Sequence, residues 1–217
     1  MDMERARYLM IEQQIRPAGV IDPQVLEILA LVKRERFVAE ENRAFAFAEA
    51  LLPIGNGQSM LEPKIEGRIL QALALKGTES VLEIGAGSGY MAALLAARAE
   101  WVRTLEIDPD LARLAHTNLE KNGVFNVITV ETDGSTGWAE RAPYDVIVAS
   151  GSVLRIPQAW LDQLKVGGRL FAVVGADPVM QARLVTRVSE DSWHGTTVFE
   201  TNLPPLHIKA SSKEFVL

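Results

Sequence analysis

Val81-Leu-Glu-Ile-Gly-Ala-Gly-Ser-Gly-Tyr90 decides how this chain is read. Residues 81–84 form a short apolar strand that runs into glycines at 85, 87 and 89. An Ala/Leu-rich stretch follows and predicts a helix over residues 90–98. Glycines in a strand–helix turn permit a tight bend and let backbone N–H groups come close to a ligand. The spacing is Gly-x-Gly-x-Gly, not the Gly-x-Gly-x-x-Gly of the dinucleotide fingerprint, which argues against a nicotinamide cofactor. It points instead to S-adenosyl-L-methionine (SAM), whose ligand end is an amino acid rather than a pyrophosphate. The cofactor candidates here are Glu83, Gly85, Ala86, Gly87, Ser88 and Gly89.

Outward from that loop, strands and helices alternate. Residues 101–106 predict a second strand, and Asp108-Pro109 opens a helix that Asn122-Gly123 stops. Residues 126–131 and 144–149 predict two more strands, 157–164 a short helix, and 169–174 a fifth strand after a Gly167-Gly168 turn. Such alternation predicts a parallel sheet covered on both faces. Residues 181–188 and 196–201 follow with no helix between them, so they predict an antiparallel hairpin. The expected fold is α/β: Rossmann-like, mostly parallel, with an antiparallel C-terminal hairpin and an N-terminal helical extension.

The first eighty residues read as helices. Asp22-Pro23 opens one, with Val25, Ile28, Leu29 and Val32 on a single stripe. A charged stretch covers residues 33–43, and residues 52–62 read as a loop. Pro63 opens the next helix, which buries Ile65, Ile69, Leu70 and Leu73. We read 1–217 as a single domain, with residues 1–78 an extension bearing the loop and 79–217 the SAM-binding core.

Two further acidic residues extend the candidate site. Glu106 ends the second strand, where a carboxylate can accept hydrogen bonds from both hydroxyls of a ribose; Ile107 follows it, and Asp108 is the helix cap. Asp133-Gly134 follows the third strand, where an acidic residue can hold an adenine amino group. All three loops leave the carboxyl ends of parallel strands, where open α/β sheets bind ligands.

Composition sets the outer bounds. The 217 residues carry 22 Lys+Arg against 28 Asp+Glu, a net charge of −6, which disfavours a nucleic-acid partner held by phosphate neutralisation. Cysteine is absent, which removes disulfides, thiolate metal sites and a cysteine nucleophile. No metal site is expected. The N-terminal residues lack the apolar core of a signal peptide, and no apolar run reaches the length of a membrane span. The expectation is a soluble, cytoplasmic protein. The histidines, His116 on a helix and His194 and His207 assigned to the C-terminal hairpin, read as surface or packing residues.

These segments resemble the protein-L-isoaspartate O-methyltransferases over about residues 11–205. The resemblance rests on Arg36-Phe-Val, Leu52-Pro-Ile-Gly-x-Gly-Gln58, the glycine loop, Asp133-Gly-x-x-Gly-Trp138, Ala142-Pro-Tyr-Asp-Val-Ile-Val148, Ile156-Pro157 and Leu164-Lys-x-Gly-Gly-Arg-Leu170. It implies a SAM-dependent enzyme that methylates the carboxylate of isoaspartyl residues in damaged proteins, so a protein or peptide is the implied partner. In that family the loop after Gly-Gln reads Thr-Ile-Ser-x-Pro, and its active-site serine falls on Leu61 here. The acceptor-loop candidates are accordingly Gln58, Ser59, Leu61 and Glu62.

Leu61 has no hydroxyl for a carboxylate, and a hydrogen bond to a charged group is worth about 1.5–3 kcal/mol. Glu62 adds an expected repulsion of about 1 kcal/mol at ~4 Å in water, more in a drier site, with Lys64 or Arg68 available to offset it. Ser150-Gly-Ser-Val153 replaces the family's Thr-Ala-Ala, and Ser135 stands where a larger residue is common. We read Ser135, Ser150 and Ser152 as ordinary loop residues. A carboxylate acceptor is already ionised at neutral pH and needs no general base, in keeping with the lack of an acid–base cluster. The alternatives are a SAM enzyme with a different acceptor and a non-catalytic SAM-binding protein that acts through a partner.

Overall fold

The computed structural model describes residues 2–208. A seven-stranded sheet has the order β5-β4-β3-β6-β7-β8-β9, and a separate two-stranded hairpin is made of β1 and β2. The strands are β1 (Leu52–Gly55), β2 (Gln58–Met60), β3 (Ser80–Ile84), β4 (Trp101–Glu106), β5 (Val127–Glu131), β6 (Tyr144–Val153), β7 (Leu164–Val174), β8 (Met180–Ser189) and β9 (Ser192–Thr201). The helices are α1 (Met3–Met10), α2 (Pro23–Leu31), α3 (Pro63–Leu73), α4 (Tyr90–Ala96), α5 (Pro109–Lys121) and α6 (Gln158–Asp162). From β5 to β7 the pairing is parallel; β7–β8 and β8–β9 are antiparallel, as the hairpin pattern predicts.

The central strands are apolar on both faces, so successive residues feed two different cores. Val81, Val146, Val148, Phe171 and Val173 join the core shared with α1–α4. Leu82, Ile147, Ala149, Leu170 and Ala172 point the other way, into the core that contains Tyr144 and the fully buried Trp160. The sheet order reverses at β3, which has β4 on one side and β6 on the other. This is the switch point at which a crevice opens beyond the carboxyl ends of the strands.

The caps read from the sequence are in place. Asp22 accepts from Gln24 N–H at 2.9 Å, and Asp108 accepts from Asp110 N–H at 2.8 Å and Leu111 N–H at 3.2 Å. Helix α3 buries Ile65, Ile69, Leu70 and Leu73 as its spacing requires. On the same face it also buries Glu66 and Gly67, and Gly67 packs against Ile15, Val20 and Leu29.

Three segments differ from the sequence reading. Residues 52–60 form the hairpin β1–β2 and not a plain loop; Leu52 pairs with Met60 and Pro53 with Ser59. The charged stretch after α2 folds into 3-10 turns, Arg34–Arg36 and Glu40–Phe45, and Arg34 and Glu35 are buried in it. Strand β6 continues through Ser150, Gly151 and Ser152 to Val153. Its extra length is held by β7, where Ser152 pairs with Val173, and by a parallel bridge from Ser152 to Pro205.

Candidate active site

The glycine loop is bound to β4 before it meets anything else. Gly85 and Ala86 N–H both donate to the Leu105 carbonyl, at 2.9 and 3.1 Å. Gly87 N–H donates to Glu106 Oε2 at 2.9 Å, and Gly89 N–H donates to the Ala86 carbonyl at 2.8 Å. These N–H groups are therefore satisfied inside the protein. The loop offers a ligand close approach more than donors. A Cβ on Gly87, where φ is +53°, would stand 3.1 Å from Ile54 Cδ1 of the hairpin, and one on Gly85 would stand 2.6 Å from Leu206 Cδ2. Only a bare backbone lets Ile54 and Leu206 come this close to the loop.

A pocket opens over this loop. Gly85, Ala86, Gly87 and Ser88 line one side, and Glu106, Ile107 and Asp108 line the end of β4. Gln58, Ser59 and Leu61 close it from the hairpin, and Leu206, His207 and Ile208 from the segment after β9. Eight sequence candidates for the site, in addition to Leu61 and Gly134, thus share one cavity. Four others do not line it. Glu83 is fully buried, Gly89 caps α4 and packs on the Ala115 backbone, Asp133 caps the turn at Gly134–Thr136, and Glu62 lies at the start of α3.

Glu106 is almost wholly buried. Its Oε2 takes the Gly87 N–H and its Oε1 the Asp108 N–H at 3.1 Å. A carboxylate has room for about four donors, so two positions remain. Asp108 works twice: it caps α5, and its Oδ2 accepts from Asn56 Nδ2 at 2.8 Å, which ties the hairpin turn to the sheet. The Leu111 N–H and its other donors hold its carboxyl below the usual range.

The three serines each make a hydrogen bond within the protein; Ser135 lies in the turn after Asp133, while Ser150 and Ser152, read as loop residues, belong to β6, and Ser150 also lines the pocket. Ser150 Oγ donates to Glu83 Oε1 at 2.7 Å, Ser152 Oγ to the Leu203 carbonyl at 2.8 Å, and Ser135 Oγ to Asp133 Oδ2 at 3.0 Å. Asp133 Oδ1 also accepts the Ser135 N–H at 3.0 Å.

On the acceptor side one expectation changes. Lys64 Nζ lies 3.0 Å from Glu62 Oε2 and also bonds Glu49, so the Glu62 charge is balanced outside the pocket. Arg68 is elsewhere, 3.7 Å from the Phe199 ring centroid. Leu61 does line the pocket, so the missing hydroxyl stands. His207, assigned by the sequence reading to the C-terminal hairpin, lies past the end of β9 and lines the pocket.

Sequence reasoning missed Arg34, Asn56, Glu66, Tyr90 and His207. Glu66 left a signal, a carboxyl on the buried stripe of α3; the others left none. Arg34 donates through Nε to the Ala46 carbonyl at 2.8 Å and through an Nη to the Leu61 carbonyl at 2.7 Å, and it pairs with Glu66. Burial pushes Glu66 up to about 7 against the pull of Arg34. Among the described residues no group of three or more His, Asp or Glu is placed to hold a metal ion, and no helix is long and apolar enough to cross a membrane.

Comparison with known proteins bears on this geometry. The sequence profile of the family described as Protein-L-isoaspartate(D-aspartate) O-methyltransferase matches residues 5–210. A relative from Marinobacter nauticus, named Protein-L-isoaspartate O-methyltransferase 2, is 39% identical over 94% of each chain. One from Rhodopseudomonas palustris, Protein-L-isoaspartate O-methyltransferase 1, is 44% identical over 92% of this chain and 82% of its own. The fold is also that of a crystal structure from Plasmodium falciparum, described as a putative protein-L-isoaspartate O-methyltransferase in complex with S-adenosyl-L-homocysteine. Its TM-score is 0.78 at 18% identity, over 93% of this chain and 97% of that one.

Burial also pushes Glu83 up to about 7, against the hydroxyls of Thr104 and Ser150, with the Glu106 charge adding to the rise. A raised acid favours folding in its protonated form. The stability it contributes is complete below its unfolded pKa and is lost as pH rises to about 7. Glu83→Gln has no proton to lose. Relative to wild type it should gain on the order of 3 kcal/mol between pH 4 and pH 8 in urea unfolding. Parallel pH profiles for the two proteins would contradict this account.

Proposed function

This chain belongs to the protein-L-isoaspartate(D-aspartate) O-methyltransferase family and is a SAM-dependent O-methyltransferase; from that premise we propose that its acceptor is the carboxylate of isoaspartyl residues in protein or peptide chains. The observation that carries this reading is the shared pocket, in which the hairpin segment Leu52–Met60 faces the glycine loop. The chain acts as one methyltransferase domain, with residues 1–78 supplying the acceptor cover over the SAM-binding core. A cytoplasmic place agrees with the lack of cysteine.

The residues present suit SAM. Gly85, Ala86, Gly87 and Ser88 would hold its amino-acid part along the side of the pocket that they line. Glu106, with two acceptor positions in hand, would take the ribose hydroxyls, and Ile107 would lie beside them. Thr132 and Gly134 line the far end, and Asp133 acts there by shaping the turn between them. Glu83 and Gly89 support the loop from beneath.

When bound, SAM supplies a methyl group made electrophilic by its sulfonium. The acceptor oxygen forms the new O–C bond with its own lone pair, the S–C bond breaks, and that electron pair stays on sulfur. No proton has to move, because a carboxylate with a pKa near 4 is ionised at neutral pH. The chain's part is alignment and exclusion of water. Leu61, Met60 and Ile54 give the pocket an apolar wall on the hairpin side for that purpose.

The direct test is transfer of labelled methyl from SAM to an isoaspartyl peptide, with the aspartyl peptide as control. The expected result is a base-labile label on the isoaspartyl peptide alone. No transfer from a protein that still binds SAM would overturn the isoaspartyl reading and leave a different acceptor. In calorimetry, Glu106→Ala should weaken SAM by about 1–3 kcal/mol; unchanged affinity would remove Glu106 from the site.

A further inference from the structure

The segment after β9 turns back across the end of β6. Ser152 N–H donates to the Pro204 carbonyl at 2.9 Å, and Leu206 N–H donates to the Ser152 carbonyl at 2.9 Å. Ser152 Oγ donates to the Leu203 carbonyl at 2.8 Å. The side chain of Leu206 sits where Gly151 and Gly85 leave space: a Cβ on Gly151 would be 3.0 Å from both Cγ and Cδ2 of Leu206. This explains the rewritten Ser150-Gly-Ser152 stretch. Glycine admits the strap, and the serine after it pins the strap down.

The strap sets the position of the next residue, His207. Gln58 Nε2 of the hairpin lies 3.2 Å from His207 Nδ1 and 3.1 Å from Nε2, so one amide N–H can donate to a ring nitrogen. The two residues are 149 positions apart in sequence. Their contact joins the hairpin to the strap across the pocket mouth, and both side chains line the cavity.

The charges around this cavity make His207 distinctive. Glu66, Glu106 and Asp108 line it, and among the described residues no lysine or arginine does. Glu66 is paired with Arg34, and Glu106 and Asp108 accept backbone N–H groups. His207 is the one basic side chain among the described lining residues. An anionic acceptor that enters beside Leu61 finds no hydroxyl there. Its polar partners on this side are the Gln58 amide, the Ser59 hydroxyl and the His207 ring, and a ring that takes the Gln58 N–H at one nitrogen carries its proton on the other, where it can donate to a carboxylate.

We propose that His207, positioned by the strap and by Gln58, binds the acceptor carboxylate and takes over the recognition that position 61 has lost. This rests on the isoaspartyl reading. His207 is solvent-exposed, so its replacement does not threaten the fold.

The test compares wild type, His207→Ala and His207→Gln in methyl transfer to an isoaspartyl peptide. A second readout is binding of the fluorescent peptide to enzyme saturated with S-adenosyl-L-homocysteine. The expected result for His207→Ala is a tenfold or larger rise in peptide KM and Kd, with KM for SAM within twofold of wild type. The glutamine variant, which keeps a donor, should recover part of the loss. Unchanged peptide KM and Kd in His207→Ala, beside an active wild type, overturn the proposal while the isoaspartyl reading survives. A wild type that neither binds nor methylates the peptide overturns both.

Discussion

The Arg34 guanidinium has no exposed surface, and its donors reach three separate parts of the chain. One goes to the Ala46 carbonyl ahead of the hairpin, one to the Leu61 carbonyl just past it, and one to Glu66 on α3. Tyr90, the first residue of the helix after the glycine loop, has its ring centroid 5.0 Å from the same guanidinium. Arginine suits this place because its planar fork presents fixed donors to several acceptors at once. Removing one partner of a buried ion pair costs about 3–5 kcal/mol, yet apolar replacement of both is often neutral. What the pair adds here is position: it fixes both ends of the hairpin relative to the loop that faces it.

The pocket follows from that constraint. The hairpin is short, with four residues in one strand and three in the other, and two isolated strands of that size are marginal in water. It is held by what surrounds it: Arg34 at its base, the Asn56–Asp108 bond at its turn, and Gln58 against His207 at the strap. Ile54 then packs close to Gly87. The glycine loop and the hairpin, proposed to meet the cofactor and the acceptor, are thus held as one wall. Alignment is the main demand of methyl transfer to an ionised carboxylate, and a rigid wall of this kind meets it.

The alternation of apolar runs with helices led to the correct reading of the sheet, because both faces of the central strands are buried and α2 and α5 carry their own start signals. Asp22 and Asp108 show this directly. The glycine loop, Glu106 and Leu61 were legible because their chemistry is local. Other features were hidden because they depend on residues distant in sequence. Pro53 and Gly55 masked a hairpin whose strands are too short for a clear alternation. The three small residues at 150–152 looked like a loop because nothing local indicates that β7 and the strap both pair with them. Arg34 lay in a run of charges that reads as solvated, and its burial depends on Glu66, which lies 32 positions away. The balance of Glu62 by Lys64 depended on a side-chain direction, and His207 on a strap whose course no period encodes.

Amide hydrogen exchange on Arg34→Lys tests the central claim most directly, since lysine keeps the charge and loses the fork. The account predicts that residues 52–60 lose protection at least tenfold while residues 81–84 and 146–148 keep theirs, and that S-adenosyl-L-homocysteine binds several-fold more weakly. Unchanged protection in the hairpin would contradict it. So would an equal loss across hairpin and sheet, which would make Arg34 a support of the whole fold and not of the wall that forms the site.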